Sequence, residues 1–309
     1  MGFSTHITMQ RYSNFIFLTL VLFLTSVPAL AQLDRLDSGY MLEDLRKLSH
    51  DAAEGRKTGT KGAEAARKYI IKQLEDIGSK SFQNNFRHPF TFNTAQGDTI
   101  QGENIIAYIE GEIDSAFIIT AHYDHLGKWE DEVYNGADDN ASGVAALLAL
   151  LEYFENFPPR HTLIFAALDA EEMGLQGANA IVKDPSIPQH ILKLNINMDM
   201  ISVNNKNELF IAGTSHYPYL KNILEPVNPF PLQLKFGHDT EAFGINDWTN
   251  ASDHAVFHRK GIPFIYFGVE DHANYHKPTD TFENINKEFY TMAVHAILDC
   301  ILALDQALK

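Results

Sequence analysis

Residues 162–175 read TLIFAALDAEEMGL. The run 162–168 is apolar almost without a break, as expected of a strand buried on both faces. Three carboxylates, Asp169, Glu171 and Glu172, follow where that strand should end. Doubly buried strands belong to parallel sheets covered by helices, so the flanking sequence should alternate strand and helix. Upstream, 104–109 and 116–122 read as strands and 141–154 as a helix. Downstream come a short helix at 175–182 and strands at 192–198, 208–211 and 262–267. A helix is expected at 217–224, and a long one closes the chain at 287–308. Residues 38–50 and 61–77 also carry helical spacing, and Gly78 ends the second. Residues 228–250 are poor in pattern and rich in Pro, Gly and Asn, which points to long loop structure lining a site. The expected fold class is α/β with a largely parallel central sheet.

The whole chain fits this reading. Its 309 residues suit one large domain or two small ones, and 45% hydrophobic against 21% charged residues permits a sizeable core. At the N-terminus, Arg11 precedes an apolar run at 15–24, followed by Ser26, Pro28, Ala29 and Ala31. These are the three regions of a secretory signal peptide, with cleavage expected after Ala31. A membrane anchor would need about 20 apolar residues, more than this run supplies. The mature chain is then 32–309, a single exported catalytic domain, periplasmic or extracellular. Losing residues 1–31 removes one cation and no acid, so the formal charge moves from −16 to −17. That surface disfavours nucleic acid and anionic membranes as partners. The one cysteine, Cys300, lies in an apolar stretch and reads as a buried thiol.

Five places concentrate His, Asp and Glu, and most fall at strand ends, where open α/β sheets build their sites. In AHYDHLG, residues 121–127, His122 ends a strand and Asp124 is placed to hold its second nitrogen. In NGADDNASG, residues 135–143, two carboxylates sit in a turn before a helix; they serve as helix caps, metal ligands or both. The Glu171–Glu172 pair offers one carboxylate for a metal and one for proton transfer. Asp199 closes the strand in LNINMDM, and His276 lies in NYHKPTDTFENI before the last helix. Each signal alone is also an ordinary cap or loop residue. Together, two histidines and several carboxylates make a plausible zinc donor set.

With AHYDHLG, GADDNASG, the Glu171–Glu172 pair and YHKPTDT in that order, the chain resembles the secreted bacterial zinc aminopeptidases. That family also takes in glutamate carboxypeptidase-like enzymes. The resemblance runs from GRKTGTKG, residues 55–62, to YHKPTDT and covers most of the mature chain. It implies a three-layer α/β/α zinc exopeptidase fold, two zinc ions and peptide substrates. It implies His122 and Asp199 on one zinc, Glu172 and His276 on the other, and Asp138 bridging them through a turn with a cis peptide at Asp138–Asp139. Glu171 looks like the general base and Asp124 like the partner of His122. SDHAVF, residues 252–257, matches a recurrent segment with no definite role for Asp253 or His254.

Two other readings stay open. One is a glutaminyl-peptide cyclotransferase using one zinc with equivalents of Asp138, Glu172 and His276. The other is a non-catalytic binding protein on the same fold. A serine hydrolase is disfavoured because no GxSxG elbow occurs, and HExxH is absent too. The preferred terminal residue and the oligomeric state are not legible.

Overall fold

The structure is a computed structural model and describes residues 35–83 and 85–309. The expected signal peptide, residues 1–31, lies outside the described residues. Leu36–Lys309 forms one compact unit. No helix among the described residues is long and apolar enough to cross a membrane.

The elements run α1 (Ser38–Leu48), α2 (Lys61–Ile77), β1 (Lys80–Ser81), β2 (Arg87–Asn93), β3 (Thr99–Ile109), β4 (Ile113–His122), β5 (Gly127–Trp129) and β6 (Glu132–Tyr134). They continue with α3 (Gly143–Asn156), β7 (His161–Leu168), α4 (Gln176–Lys183), β8 (Leu192–Met198), β9 (Glu208–Ala212) and α5 (Pro218–Leu224). Last come β10 (Gln233–Phe236), α6 (His254–Arg259), β11 (Phe264–Gly268) and α7 (Lys287–Ala307). Among the described residues, nine strands form one sheet, ordered β1-β3-β7-β4-β8-β11-β9-β10 with β2 paired to β3. The centre, β7-β4-β8-β11, is parallel; β3 joins β7 and β9 joins β11 antiparallel. The sheet is therefore mixed and largely parallel at its core, as expected.

Its two faces follow from side-chain alternation. Phe117, Ile119, Ala121, Leu163, Phe165 and Ala167 point into a core roofed by residues of α1, α2, α3 and α7. Ile118, Ile164, Ala166 and Leu168 point the other way, against Ala178, Ile181 and Val182 of α4 and Val256 and Phe257 of α6. Both faces of β4 and β7 are buried, which is why their sequences read as continuous apolar runs. Cys300 is buried and unpaired with another cysteine, as its apolar setting implies.

The expected elements appear, most with ends within two residues of expectation, but β3 begins five residues and β4 three residues earlier than expected. The β2–β3 hairpin was not expected, because β2 alternates buried and exposed residues only weakly. Nor was β10, inside the expected loop 228–250, where Gln233–Phe236 adds to the sheet edge beside β9. Edge strands bury one face at most, so their hydrophobic signal is faint.

Candidate metal centre

Three parallel strands deliver the site. His122 is the last residue of β4 and pairs with Leu168 of β7; Asp169–Glu172 follow β7, and Asp199 follows β8. The turn 137–142 precedes α3, and His276 comes from the loop before α7. Ala170, Met200 and His276 hold φ of 60°, 59° and 53°. Left-handed backbone in non-glycine residues costs on the order of 1–3 kcal/mol. Each bend redirects the chain beside a residue of the cluster.

Asp139 lies at the centre. Its Oδ1 is 3.3 Å from His122 Nε2, and its Oδ2 is 3.0 Å from His276 Nε2 and 3.6 Å from His125 Nδ1. Asp199 Oδ1 stands 3.3 Å from His122 Nε2, and Glu172 Oε1 lies 2.9 Å from His125 Nδ1 and 3.5 Å from His276 Nε2. Two groups, His122–Asp139–Asp199 and His125–Asp139–Glu172, each bring their donor atoms within 4.8 Å of one another.

The expectation for Asp138 is corrected here. Asp138 faces away from the cluster. Its Oδ1 accepts from Ser202 N and Oγ at 2.6 and 2.8 Å, and its Oδ2 lies 2.9 Å from His272 Nε2. Adjacent turn residues project in different directions, and these three partners claim Asp138. Asp139 takes the place between the histidines, and the cis peptide falls at Asp139–Asn140 rather than Asp138–Asp139.

Asp124 also acts differently from expectation. Its backbone carbonyl, not its carboxylate, is 3.1 Å from His122 Nδ1; the carboxylate is 3.7 Å away, beyond hydrogen-bond distance. The carboxylate instead accepts from the backbone N–H groups of Glu171 (3.0 Å) and Glu172 (3.3 Å), so it shapes the acidic turn. With Nδ1–H donated to that carbonyl, a neutral His122 would leave Nε2, on the side of Asp139 and Asp199, as the nitrogen able to bind a metal.

Electrostatics agree with the chemistry of this donor set. Burial would raise Asp139, yet His125, His122 and His276 hold it well below the usual carboxylate value. Asp139 and Glu172 lift His276 to about 10 against the cost of its burial. The carboxylates thus draw positive charge into the pocket, and a divalent cation would supply that charge. Buried carboxylates and imidazoles with unpartnered atoms, Glu172 Oε1 and both nitrogens of His125, fit zinc's preference for N and O donors.

Several residues escaped the sequence reading. Arg56, in GRKTGTKG, is fully buried and donates to the carbonyls of Tyr123 (2.7 Å), Leu48 (2.7 Å), Asn135 (2.6 Å) and Gly136 (2.8 Å). Burial lowers it to about 10, with Asp139, Asp280, Asp124 and Glu172 opposing, so it stays charged at neutral pH. Asp280, in YHKPTDT, accepts from the N–H groups of Asp138 (2.9 Å) and Asp139 (3.1 Å) and so clamps the turn. Thr58 Oγ1 donates to Asp169 (2.8 Å) behind the acidic turn. Asp253, which the SDHAVF segment left without a role, is buried with neither carboxylate oxygen hydrogen-bonded, and burial pushes it up to about 7. The motifs mark these segments, but nothing local tells a ligand from a clamp.

A cavity of roughly 460 Å³ opens onto the cluster and Glu171. Its outer wall includes Ile245, Asn246, Asp247 and Trp248, from the segment expected to line a site, together with Glu270 and Tyr275.

Residues 104–301 match peptidase family M28. Aminopeptidase YwaD of Bacillus subtilis is 29% identical over 184 residues, covering 55% of this chain and 37% of that protein. The chain spans about half or less of the length of the first curated relatives it matches. A Zn-dependent exopeptidase from Parabacteroides distasonis superposes with a TM-score of 0.70 at 19% identity, covering 86% of this chain and 98% of that one. Porphyromonas gingivalis glutaminyl cyclase gives a TM-score of 0.70 at 16% identity, with coverages of 87% and 98%. Both superpositions speak for the fold alone.

Proposed function

The chain belongs to peptidase family M28, and from that premise we propose that it is a zinc aminopeptidase carrying two ions. The observation that carries this reading is Asp139 standing between two donor groups, with His122 and Asp199 on one side and Glu172 and His276 on the other. Bound zinc would lower the pKa of an attacking water and polarise the scissile carbonyl.

The chain's own residues supply the rest. Glu171 lines the cavity beside the cluster. Burial first, then Asp253, Asp199 and Asp124, raise it well above the usual carboxylate value, although His122 opposes. A raised carboxylate is a competent general base that can return its proton. Glu171 takes a proton from water as the water oxygen bonds to the carbonyl carbon. It then gives that proton to the amide nitrogen as the C–N bond breaks, releasing an amino acid and a shortened peptide. A free substrate amine is attracted by the acidic wall that includes Asp247 and Glu270, which favours cleavage at N-termini.

The test is amino-acid release from free and N-acetylated peptides by zinc-loaded protein, with and without a chelator. Chelator-sensitive release from free N-termini only is the expected result. Ammonia from N-terminal glutamine, without release from any peptide, would replace this reading with a cyclotransferase. Silence in both assays would leave a binding protein.

A further inference from the structure

The two sides of Asp139 are not alike. On the His122 side, three protein atoms converge: His122 Nε2, Asp139 Oδ1 and Asp199 Oδ1. On the other side there are four: Asp139 Oδ2, Glu172 Oε1, His276 Nε2 and His125 Nδ1. His125 is 1% exposed, and neither of its ring nitrogens has a hydrogen-bond partner. Its Nδ1 is only 2.9 Å from Glu172 Oε1, yet that oxygen too lacks a hydrogen bond. The approach is therefore close without donor–acceptor alignment. Two unpaired polar atoms in contact inside a protein are costly unless something lies between them.

A tetrahedral zinc with bonds of about 2.0–2.1 Å separates its ligand atoms by roughly 3.3 Å. Of the six separations among four such atoms, the four between a histidine and a carboxylate, 2.9, 3.0, 3.5 and 3.6 Å, bracket that value. The ring is also held in place. A Cβ on Gly136 would sit 2.6 Å from His125 Cγ and Cδ2, so only glycine lets the turn close over the imidazole.

We propose that His125 is a protein ligand, through Nδ1, of the cation position formed by Glu172, His276 and Asp139. This rests on the zinc reading above. That position then has four protein donors and is closed, whereas the His122–Asp199 position has three and keeps a place for water. Closed four-ligand zinc sites hold the ion as structure, and open three-ligand sites do chemistry. The first zinc equivalent goes to the closed position, and the second is the exchangeable one.

Long-range proton–nitrogen NMR of ¹⁵N-histidine-labelled protein, titrated with zinc alone, tests this. Three imidazoles should show metal shifts, two through Nε2 and one through Nδ1. His125→Ala should delete the Nδ1 signal, keep the other two, and weaken the first zinc equivalent by tenfold or more. Affinity alone would not decide, because a residue merely orienting Glu172 also changes it; the metallated nitrogen does decide. Two Nε2 signals with His125 unshifted would overturn the proposal while leaving the zinc reading intact. No zinc-shifted histidine at all would overturn both. Should His125→Ala not fold, the nitrogen count in the unaltered protein still separates these outcomes.

Discussion

Glu171 and Glu172 are chain neighbours with opposite proton affinities. Burial and surrounding acids raise Glu171, whereas Glu172, despite burial, is drawn down to about 2 by His125 and His276. The same pair of residue types thus divides into a proton carrier and a permanent anion. Glu171→Gln should lower kcat by roughly 10²- to 10⁴-fold, with zinc content unchanged by elemental analysis. Lost zinc would show that base and ligand have been exchanged. Arg56 holds four backbone carbonyls around the site. Its replacement by Met would strip four buried carbonyls of their donors, and unsatisfied buried groups cost about 1–3 kcal/mol each. Arg56→Met should therefore lose at least about 3 kcal/mol in urea unfolding; a loss under about 1 kcal/mol would mean water replaces the guanidinium.

At the scale of elements, the turn before α3 is built by distant parts of the chain. Asp280 holds its backbone, Arg56 holds its entry at Asn135 and Gly136, and Ser202 turns Asp138 outward. Gly136, at φ 54°, lets the turn pass over His125. Gly136→Ala should weaken zinc binding by about 10- to 100-fold, the range seen when groups that orient ligands are lost; competition with a chromophoric chelator would measure it. A second element contact tests pH linkage. Asp44 on α1 accepts from Tyr69 of α2 at 2.6 Å, and burial raises it to about 6 from an ordinary 3.8. The folded state therefore binds this proton more tightly than the unfolded one. The resulting stability is present below about pH 4 and is lost as pH rises through about 6. Asp44→Asn keeps an acceptor for Tyr69 without the charge. It should raise the melting temperature at about pH 7–8 and give no gain at about pH 4; equal gains at both pH values would rule out the charge as cause.

For the whole molecule, the cluster joins the ends of β4, β7 and β8 to the loops before α3 and α7. An ion bound there is linked to unfolding of the entire unit. With free zinc about 100-fold above its dissociation constant, linkage adds about 2.7 kcal/mol. For a domain of this size that is a melting-temperature rise of about 5 °C, reversed by chelator. A scan that shows no shift between zinc-loaded and chelated protein would disconnect the site from the fold.

The layers, the parallel centre and the kinds of residue at the site were legible in the amino-acid sequence. Apolar runs reveal strands buried on both faces, and carboxylates or histidines directly after parallel strands gather at one sheet edge. The amino-acid sequence could not decide between Asp138 and Asp139. Adjacent residues in an irregular turn have no periodicity, and their directions are set by Ser202, His272 and Asp280, all distant in the chain. For the same reason Asp124 looked like a side-chain partner of His122 and proved to use its backbone oxygen. Arg56 and His125 stood in recognisable motifs, but a buried guanidinium under four carbonyls and an imidazole facing Glu172 exist only once β4, β7 and the loop 135–143 are brought together. Residue type is a local property; the direction in which a carboxylate or ring nitrogen points is set by partners that only the tertiary fold supplies.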